Sequence, residues 1–452
     1  MANFFKASDK KTTKANIKST IVLNIDKLDM NGCGVGHYQK KAIFIDGCLP
    51  QENVEVRLIE QKNKFARGKL LKVNVASSNR VKAQCQHFNF CGGCDLQHLD
   101  YNEQLVFKQH KVTELLARSG MNNDMISQLP WQAPIVSQPW HYRRKARIGV
   151  QFDKKSQPTI GFRQKATNQL VSIKSCTTLV KALSDIFPIL QALIVKLSIK
   201  KAIGHIEVIS TQSQNREALV TLVIRQLRVL NEQDRALWQA YAKQHQWQVV
   251  FDFGADNIEY LNSHQALTYT LVNDTDITFA SDDFIQVNQG VNEAMVEQAI
   301  DWLALEANDQ LLDLFCGLGN FSLPIAKNIA KVVGVEGVQT MVDKAKANAA
   351  KNQLSNCQFY QADLNSDWLE HSWAKHNFTK VLLDPARAGA EQALLQLTKL
   401  TINTVLYVSC DPATLARDSQ ILLAQGYKIV KIALIDMFSQ TKHVETMVLF
   451  SK

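Results

Sequence analysis

From residue 284 to residue 452, helical and buried-strand patterns alternate, and this alternation restricts the fold more than any other feature of the sequence. The predicted helices span residues 289–306, 320–329, 338–353, 390–399 and 412–424, and the predicted strands span residues 310–315, 331–336, 379–384 and 403–409. Such alternation is typical of an open α/β sheet. Because these sheets bind ligands at the carboxyl ends of their strands, we expect the functional residues there.

The earlier part of the chain has mostly period-two patterns, which predict strands. Short alternating segments between glycine-containing turns predict a small antiparallel β-barrel over residues 19–76. The predicted domains are a basic arm (1–18), this barrel (19–76), a central α+β domain (77–96 and 131–283), a helical excursion that packs on the C-terminal domain (97–130), and that C-terminal α/β domain itself (284–452).

Basic residues are concentrated in the first part of the chain. Residues 1–180 contain 28 Lys and Arg against 13 Asp and Glu, whereas residues 181–452 contain 23 against 29. A one-sided basic surplus indicates a polyanionic partner, although a solvated basic face is the simpler alternative. No apolar run has the length of a membrane span, so nucleic acid is a better partner than lipid. We expect a cytoplasmic monomer without a membrane partner.

A glycine turn follows the strand at 310–315. Gly317 and Gly319 allow a sharp turn and close approach by a ligand, and Glu336 and Asp363 follow the next strands, where a carboxylate can accept the hydroxyls of an adenosine ribose. These residues predict a nucleoside site. NAD is a weaker alternative because its usual third glycine is missing, and a turn that binds nothing is another.

Two further strand ends and a C-terminal motif carry nucleophilic and acidic residues. Asp384 follows one strand, Cys410 follows the next, and Glu445 lies near the C terminus. Cys410 precedes a helix start at Pro412, where the helix dipole is expected to stabilise its thiolate. Taken alone, a Ser-Cys-Asp-Pro sequence is more often structural than catalytic.

Nine cysteines in a chain without a predicted export signal indicate a reducing compartment. Three of them, Cys85, Cys91 and Cys94, lie close together on a glycine-containing segment, and Cys176 is the best candidate for a fourth ligand. Four thiolates suit either zinc or an iron-sulfur cluster, and their spacing does not choose between the two.

Aromatic and basic residues are interleaved at residues 140–147. This pattern suits stacking on unpaired bases together with neutralisation of phosphates, although a strand with an exposed basic face is the alternative. The predicted RNA-binding residues are Trp140, Tyr142, Arg143, Arg144, Lys145 and Arg147.

Three motifs together resemble the RNA 5-methyluridine methyltransferase family: Leu-Asp-Pro-Ala-Arg-Ala-Gly at 383–389, Ser-Cys-Asp-Pro-Ala-Thr-Leu-Ala-Arg-Asp at 409–418 and His-Val-Glu-Thr at 443–446. The resemblance implies a class I S-adenosylmethionine-dependent methyltransferase domain, with Cys410 as nucleophile, Glu445 as general base and Asp384 in contact with the uracil. It implies that the cofactor contacts are Gln286, Phe315, Asn320, Glu336, Asp363 and Asp384, beside the turn at Gly317 and Gly319. Asp411 departs from the family, where Asn is common.

The resemblance also implies that the barrel is a TRAM domain and that Cys85, Cys91, Cys94 and Cys176 bind a [4Fe-4S] cluster, as in the ribosomal branch of the family. The transfer-RNA branch is expected to lack both features, so the implied substrate is U1939 of 23S ribosomal RNA; another rRNA or tRNA uracil is the alternative. An RNA 5-methylcytosine methyltransferase would have a second cysteine in the motif at 384–387, which has none. A pure RNA-binding protein with a degenerate transferase domain is the remaining rival.

Overall fold

The structure is a computed structural model that describes residues 19–212, 218–254 and 257–452. The basic arm predicted at residues 1–18 lies outside the described residues. Among the described helices, none is long and apolar enough to cross a membrane. The chain forms two compact units: the first contains the barrel and residues 98–103, and the second contains residues 83–97 and the chain from Gln104 onward.

The first unit is a closed five-stranded barrel, in which neighbouring strands follow the order β1-β2-β3-β5-β4. Alternate residues of β1 and β4 point inward and form an apolar core that includes Ile21, Leu23, Val54 and Val56. The period-two pattern therefore predicted the barrel, but not all of its strand pairing: β3 and β5 are parallel, whereas an antiparallel barrel was expected. Its strands are β1 (Thr20–Leu28), β2 (Gly34–Tyr38), β3 (Lys41–Ile45), β4 (Asn53–Gln61) and β5 (Phe65–Val75).

The long helix α1 (Tyr101–Arg118) and the short helix α2 (Asn123–Ser127) come next in the chain. The buried side of α1 has a four-residue spacing, with Gln104, Lys108, Val112 and Leu116 in successive turns. Val112 and Leu116 pack into the same apolar core as residues of the C-terminal domain.

The central region of the second unit contains a seven-stranded sheet in the order β12-β11-β10-β9-β6-β7-β8, with helices packed on it. Its elements are β6 (Lys145–Phe152), β7 (Pro158–Arg163), β8 (Leu170–Ser172), α3 (Lys181–Ser184), α4 (Ile186–Lys196), β9 (Ile203–Gln212), β10 (Ala218–Gln226), α5 (Glu232–His245), β11 (Trp247–Asp252) and β12 (Ile258–Tyr260). A separate hairpin follows, formed by β13 (Leu267–Leu271) and β14 (Thr275–Phe279). Short 3-10 helices lie at Lys200–Ala202, Val272–Asp274 and Ser372–Lys375.

The C-terminal domain is built on a second seven-stranded sheet, in the order β17-β16-β15-β18-β19-β21-β20. The first five strands in this order are parallel, and β21 is antiparallel to both β19 and β20. The elements are α6 (Gln289–Leu303), β15 (Gln310–Leu314), α7 (Ser322–Ala326), β16 (Lys331–Glu336), α8 (Gln339–Lys351), β17 (Cys357–Gln361), β18 (Lys380–Leu383), α9 (Glu391–Leu397), β19 (Thr404–Ser409), α10 (Pro412–Ala424), β20 (Lys428–Ile435) and β21 (Glu445–Ser451).

The segment before the central sheet runs along the outer strand β20. Trp131 and Ile135 form parallel bridges with Ile432 and Ile435. The backbone N–H of Ile135 donates to the carbonyl of Leu434 at 2.7 Å. This segment therefore extends the sheet beyond β20.

Candidate active site

The turn after β15 has the backbone shape that its glycines predicted. Gly317 and Gly319 have φ angles of +53° and +89°, a region that favours glycine. A Cβ added at Gly317 would meet nothing nearer than the Met341 methyl at 4.0 Å. Space for a ligand therefore remains beside this turn. Phe315, at φ +66°, begins the turn with an uncommon conformation for a residue with a side chain.

Glu336 lies against the glycine turn. Its Oε2 accepts the backbone N–H of Gly317 at 3.2 Å, and its Oε1 accepts that of Val338 at 3.1 Å. Asp363 follows the neighbouring strand β17 and is exposed. Carboxylates at adjacent strand ends, beside a turn with free space, fit the hydroxyl and adenine edges of an adenosine group.

Asn320 is held from two sides. It exchanges side-chain hydrogen bonds of 2.9 and 3.0 Å with Asn292 of α6, and the Tyr269 hydroxyl donates to its Oδ1 at 3.1 Å. Asn292 and Tyr269 belong to no recognisable motif, so the sequence did not reveal their part in this site.

Gln286, another predicted cofactor contact, is buried. Its backbone carbonyl accepts the Nε–H of Arg144 at 3.0 Å.

Asp313, in the middle of β15, is a further site residue that the sequence did not reveal. Its side chain is fully buried below the turn, and the Ser322 hydroxyl donates to it. Burial raises the pKa of Asp313 to about 7; the charges of Asp384 and Glu336 act in the same direction, and the Ser322 hydrogen bond opposes them.

Replacing Asp313 with Asn should stabilise the protein increasingly as pH rises from about 4 to 7. Because the folded-state pKa lies above the ordinary value, the native wild-type chain binds more protons than the unfolded chain in this window, so its stability falls with rising pH. The Asp313→Asn variant lacks this loss, which corresponds to about 1.4 kcal/mol per pH unit at most. Thermal unfolding at a series of pH values measures the difference, with Asp282→Asn, a change at an exposed aspartate, as control. A difference independent of pH would contradict the prediction.

The three predicted catalytic residues lie at neighbouring strand ends. Asp384 follows β18, Cys410 follows β19, and Glu445 begins β21, which pairs with β19 in a register that places Thr446 opposite Ser409. The Cys410 Sγ lies 3.9 Å from the carbonyl oxygen of Pro385, in the motif that contains Asp384. The antiparallel return of β21 thus brings Glu445 to the edge where the parallel strands β18 and β19 end.

These three groups influence one another electrostatically. Burial raises the pKa of Glu445 to about 8, with a further contribution from the charge of Asp384. Burial likewise raises the pKa of Asp384 to about 7. The pKa of the Cys410 thiol is raised to about 11 by burial and by the charges of Glu445 and Asp384, whereas Arg387 lowers it. Without RNA, the site therefore favours the protonated thiol near neutral pH.

The expectation that the helix dipole stabilises the thiolate of Cys410 stays a prediction, and the first backbone donors of α10 bind another group. Asp411 caps α10: its carboxylate accepts the backbone N–H groups of Ala413 at 2.9 Å and Thr414 at 3.3 Å. The donors at the helix start are thus already used by a carboxylate, and burial controls the pKa of the thiol. Asp411 in place of Asn performs this capping role.

The four cysteines of the predicted cluster come together in the second unit. Cys91 and Cys94 are buried, Cys85 and Cys176 are partly exposed, and all four thiols are free. Burial raises the pKa values of Cys85, Cys91 and Cys94, and the charge of Cys176 raises each of them further. Among the described residues, however, no three His, Cys, Asp or Glu side chains are arranged to hold a single metal ion.

The basic segment at 140–147 corrects part of the RNA-binding prediction. Tyr142 is buried and its hydroxyl donates to the carbonyl of Ser439 at 2.9 Å; Arg144 is 3% exposed and lies over the Tyr269 ring. Neither side chain can reach RNA from these positions. Lys145 donates to two backbone carbonyls, and Trp140 and Arg143 are partly buried. Arg147 is exposed beside Glu207.

Comparison with known proteins agrees with this geometry. A family model described as tRNA (Uracil-5-)-methyltransferase matches residues 100–452, which is more than half of the chain. The chain belongs to the tRNA (uracil-5-)-methyltransferase family. A TRAM domain model matches residues 14–71, which confirms the interpretation of the barrel.

Several curated members of the family are similar over the whole chain. The 23S rRNA (uracil(1939)-C(5))-methyltransferase RlmD of Colwellia psychrerythraea is 55% identical over 469 residues, covering 100% of this chain and 99% of the relative. Proteins with the same name from Shewanella piezotolerans and Aliivibrio fischeri are 44% and 43% identical, each over 100% of this chain and over 99% and 100% of the relatives.

A solved structure of the uracil-5-methyltransferase family shares the fold. The Pyrococcus abyssi tRNA (uracil-54, C5)-methyltransferase, in complex with S-adenosyl-L-homocysteine, superposes with a TM-score of 0.72 at 22% identity, covering 95% of this chain and 100% of that one. The matched region therefore includes most of the barrel as well as the C-terminal domain.

Proposed function

We propose that this uracil-5-methyltransferase transfers a methyl group from S-adenosylmethionine to C5 of U1939 in 23S rRNA. The observation that carries the proposal is the 55% identity over the full length of a relative named for that reaction. A 23S rRNA substrate implies action in the cytoplasm. A tRNA uracil is the competing substrate, since the similar Pyrococcus enzyme acts on tRNA.

A methylation assay on both RNA classes tests the substrate. Unmodified 23S rRNA and unmodified bulk tRNA are each incubated with the protein and with S-adenosylmethionine labelled in its methyl group. We expect label in 23S rRNA, mapped by mass spectrometry to U1939, and a rate at least about a hundredfold lower on tRNA. Label at a tRNA uracil with comparable efficiency would contradict the proposal.

The methyl donor is proposed to bind beside the glycine turn. The free space at Gly317, the carboxylate of Glu336 hydrogen-bonded to that turn, and the exposed Asp363 suit its adenosine part. The remaining contacts to the methyl donor S-adenosylmethionine are proposed to come from Gln286, Phe315, Asn320, Gly319 and Asp384. When bound, S-adenosylmethionine supplies an electrophilic methyl group.

Cys410 is proposed to activate the uracil. Its thiolate adds to C6, and the electrons of the C5–C6 double bond move into the carbonyl as an enolate, which makes C5 nucleophilic. Because the pKa of the Cys410 thiol is raised to about 11 in the protein without RNA, this thiol must pass its proton to water when RNA binds, and the charge of Arg387 favours the resulting thiolate. Asp384 is proposed to contact the polar edge of the uracil.

Glu445 is proposed to complete the reaction. After C5 has gained the methyl group, the Glu445 carboxylate removes the remaining C5 proton, the C5–C6 double bond forms again, and the C6–S bond breaks to return the thiolate. A carboxyl group with a pKa of about 8 is a stronger base than an ordinary one, and its basic form becomes more populated as pH rises towards 8. The elimination step should therefore accelerate over that range.

The TRAM barrel is proposed to contact the RNA backbone. Arg57 of β4 and Lys69 of β5 are exposed and lie opposite each other in the barrel, and Lys72 is exposed farther along β5. Phosphate contacts made by such residues add affinity without reading sequence. Arg147 is the exposed cation that remains from the segment at 140–147.

Cys85, Cys91, Cys94 and Cys176 are proposed to hold a [4Fe-4S] cluster. The charge of Cys176 raises the pKa of each of the other three thiols, so the four thiols lie near one another. Four thiolates are the usual ligands of such a cluster, and a zinc ion is the alternative. The backbone N–H of Gly93 also donates to the Cys91 sulfur at 3.4 Å.

Protein purified without oxygen should be brown and should contain about four irons per chain. The double variant Cys91→Ser/Cys94→Ser should lose both the colour and the iron, because two of the four ligands are gone. The control Cys33→Ser/Cys357→Ser changes cysteines outside this group and should keep them. Absorbance spectra and elemental analysis are the measurements; stoichiometric zinc without iron would contradict the cluster.

A further inference from the structure

One side of helix α1 holds the segment that leads to Glu445. Gln104 exchanges hydrogen bonds with Gln440: its Nε2 donates to Oε1 at 3.0 Å, and its Oε1 accepts the backbone N–H at 3.2 Å. Two turns farther along, Lys111 donates to the carbonyl of Lys442 at 3.1 Å. Residues 436–442 are thus fixed by a helix more than 300 residues earlier in the chain.

Lys108 lies between these two contacts. Its ammonium is 0% exposed and lies 2.5 Å from the carboxylate of Asp436, whose side chain is 1% exposed. The same ammonium donates to the carbonyl of Phe438 at 3.1 Å. The other oxygen of Asp436 accepts the Ser439 hydroxyl at 2.6 Å. A fully buried lysine is rare unless it is paired, and removing one partner of such a pair is costly.

The charge of Lys108 also acts on Glu445. The charged or titratable groups that influence this carboxyl are Asp384, which raises its pKa, and Lys108 and Arg387, which lower it; Cys410 is coupled to it in turn. Arg387 is exposed, so solvent screens its charge. Lys108 is buried, so its charge is screened less.

We propose that Lys108 is a positioning residue for the general base: its buried ammonium, held by Asp436 and by the Phe438 carbonyl, anchors the segment that leads to Glu445 and keeps a weakly screened positive charge near this carboxyl. This inference rests on the proposed role of Glu445 in removing the C5 proton. Lys108 does not contact the reacting atoms; it acts through Glu445.

The test measures how fast methylated RNA leaves the preformed covalent adduct at a series of pH values, using the full-length enzyme. In Lys108→Gln the positive charge that acts on Glu445 is gone, so the midpoint of the pH profile should move up by about one unit, and release below the midpoint should slow about tenfold. Lys111→Gln, which loses one hydrogen bond to the same segment, should keep the wild-type midpoint.

A raised midpoint in Lys108→Gln together with an unchanged midpoint in Lys111→Gln is not expected from a merely structural role, since both variants lose a contact to the same segment. The inference is overturned if Lys108→Gln keeps the wild-type midpoint, or if Lys111→Gln raises the midpoint as far. If Lys108→Gln does not fold, the double variant Lys108→Gln/Asp436→Asn replaces it, and its midpoint must lie above that of the wild type. Release of methylated RNA from Glu445→Gln at the wild-type rate would refute the proposed role of Glu445 as the base. Slow release from Glu445→Gln, together with a wild-type pH midpoint in the Lys108 variants, would refute only the role of Lys108.

Discussion

Replacement of Cys410 by Ala should lower methyl transfer to RNA by more than roughly a thousandfold, because the thiol proposed to add to C6 and activate C5 is gone. The measurement is incorporation of labelled methyl groups, together with denaturing gels that detect a covalent protein-RNA band. No such band should form with the variant. Cys357→Ala, which removes a partly exposed thiol at the start of the far edge strand β17 of the same sheet, should keep wild-type activity.

Substantial methylation by the Cys410→Ala variant would show that another residue is the nucleophile. A covalent band without methylation would mean that a different side chain attacks the base. Binding of 23S rRNA should be retained, since Cys410 is only partly exposed and the proposed phosphate contacts lie elsewhere.

Replacement of Glu445 by Gln should have a different result: addition and methylation proceed, but product release slows by roughly 10²–10⁴-fold, because the C5 proton has no acceptor. A denaturation-resistant protein-RNA band that carries the labelled methyl group should accumulate. Glu370→Gln, a change at an exposed carboxylate outside the site, should release product normally.

The double variant Cys410→Ala/Glu445→Gln separates these roles. It should form no band, because the bond that persists in Glu445→Gln is the one between Cys410 and C6. A band in the double variant would contradict the assignment of Cys410, whereas rapid release from Glu445→Gln alone would contradict the assignment of Glu445.

Most of the C-terminal fold could be predicted from the sequence because its elements are local and strongly periodic. The strand over 331–336 and the helix over 412–424 have the predicted ends, and other predicted elements differ by a few residues. The antiparallel strand β21, which begins at Glu445, was not predicted. Its pairing with β19 depends on contacts between distant parts of the chain, which leave no local pattern. Helices α4 and α5 were also missed among the strand patterns of the central domain.

In the candidate site, too, residues in local motifs could be predicted, whereas residues placed by contacts between distant parts of the chain could not. Cys410 and Glu445 could be recognised from the sequence because each lies in a short motif that contains several polar or reactive residues. Lys108 was not visible, since its partner Asp436 is 328 positions away and nothing near Lys108 marks it as buried. Arg144 was misread for a related reason: a run of basic residues does not indicate which side chains turn inward, and this one packs on Tyr269.

The segment that runs along β20 has a consequence for aggregation. An uncovered outer strand exposes unpaired N–H and C=O groups to which another chain can pair. Residues 130–135 occupy part of that edge of the C-terminal sheet, through the bridges of Trp131 and Ile135. The opposite edge, β17, is only five residues long and includes the polar residues Gln358 and Gln361. Both edges are therefore poorly suited to edge-to-edge association between copies while the chain is folded.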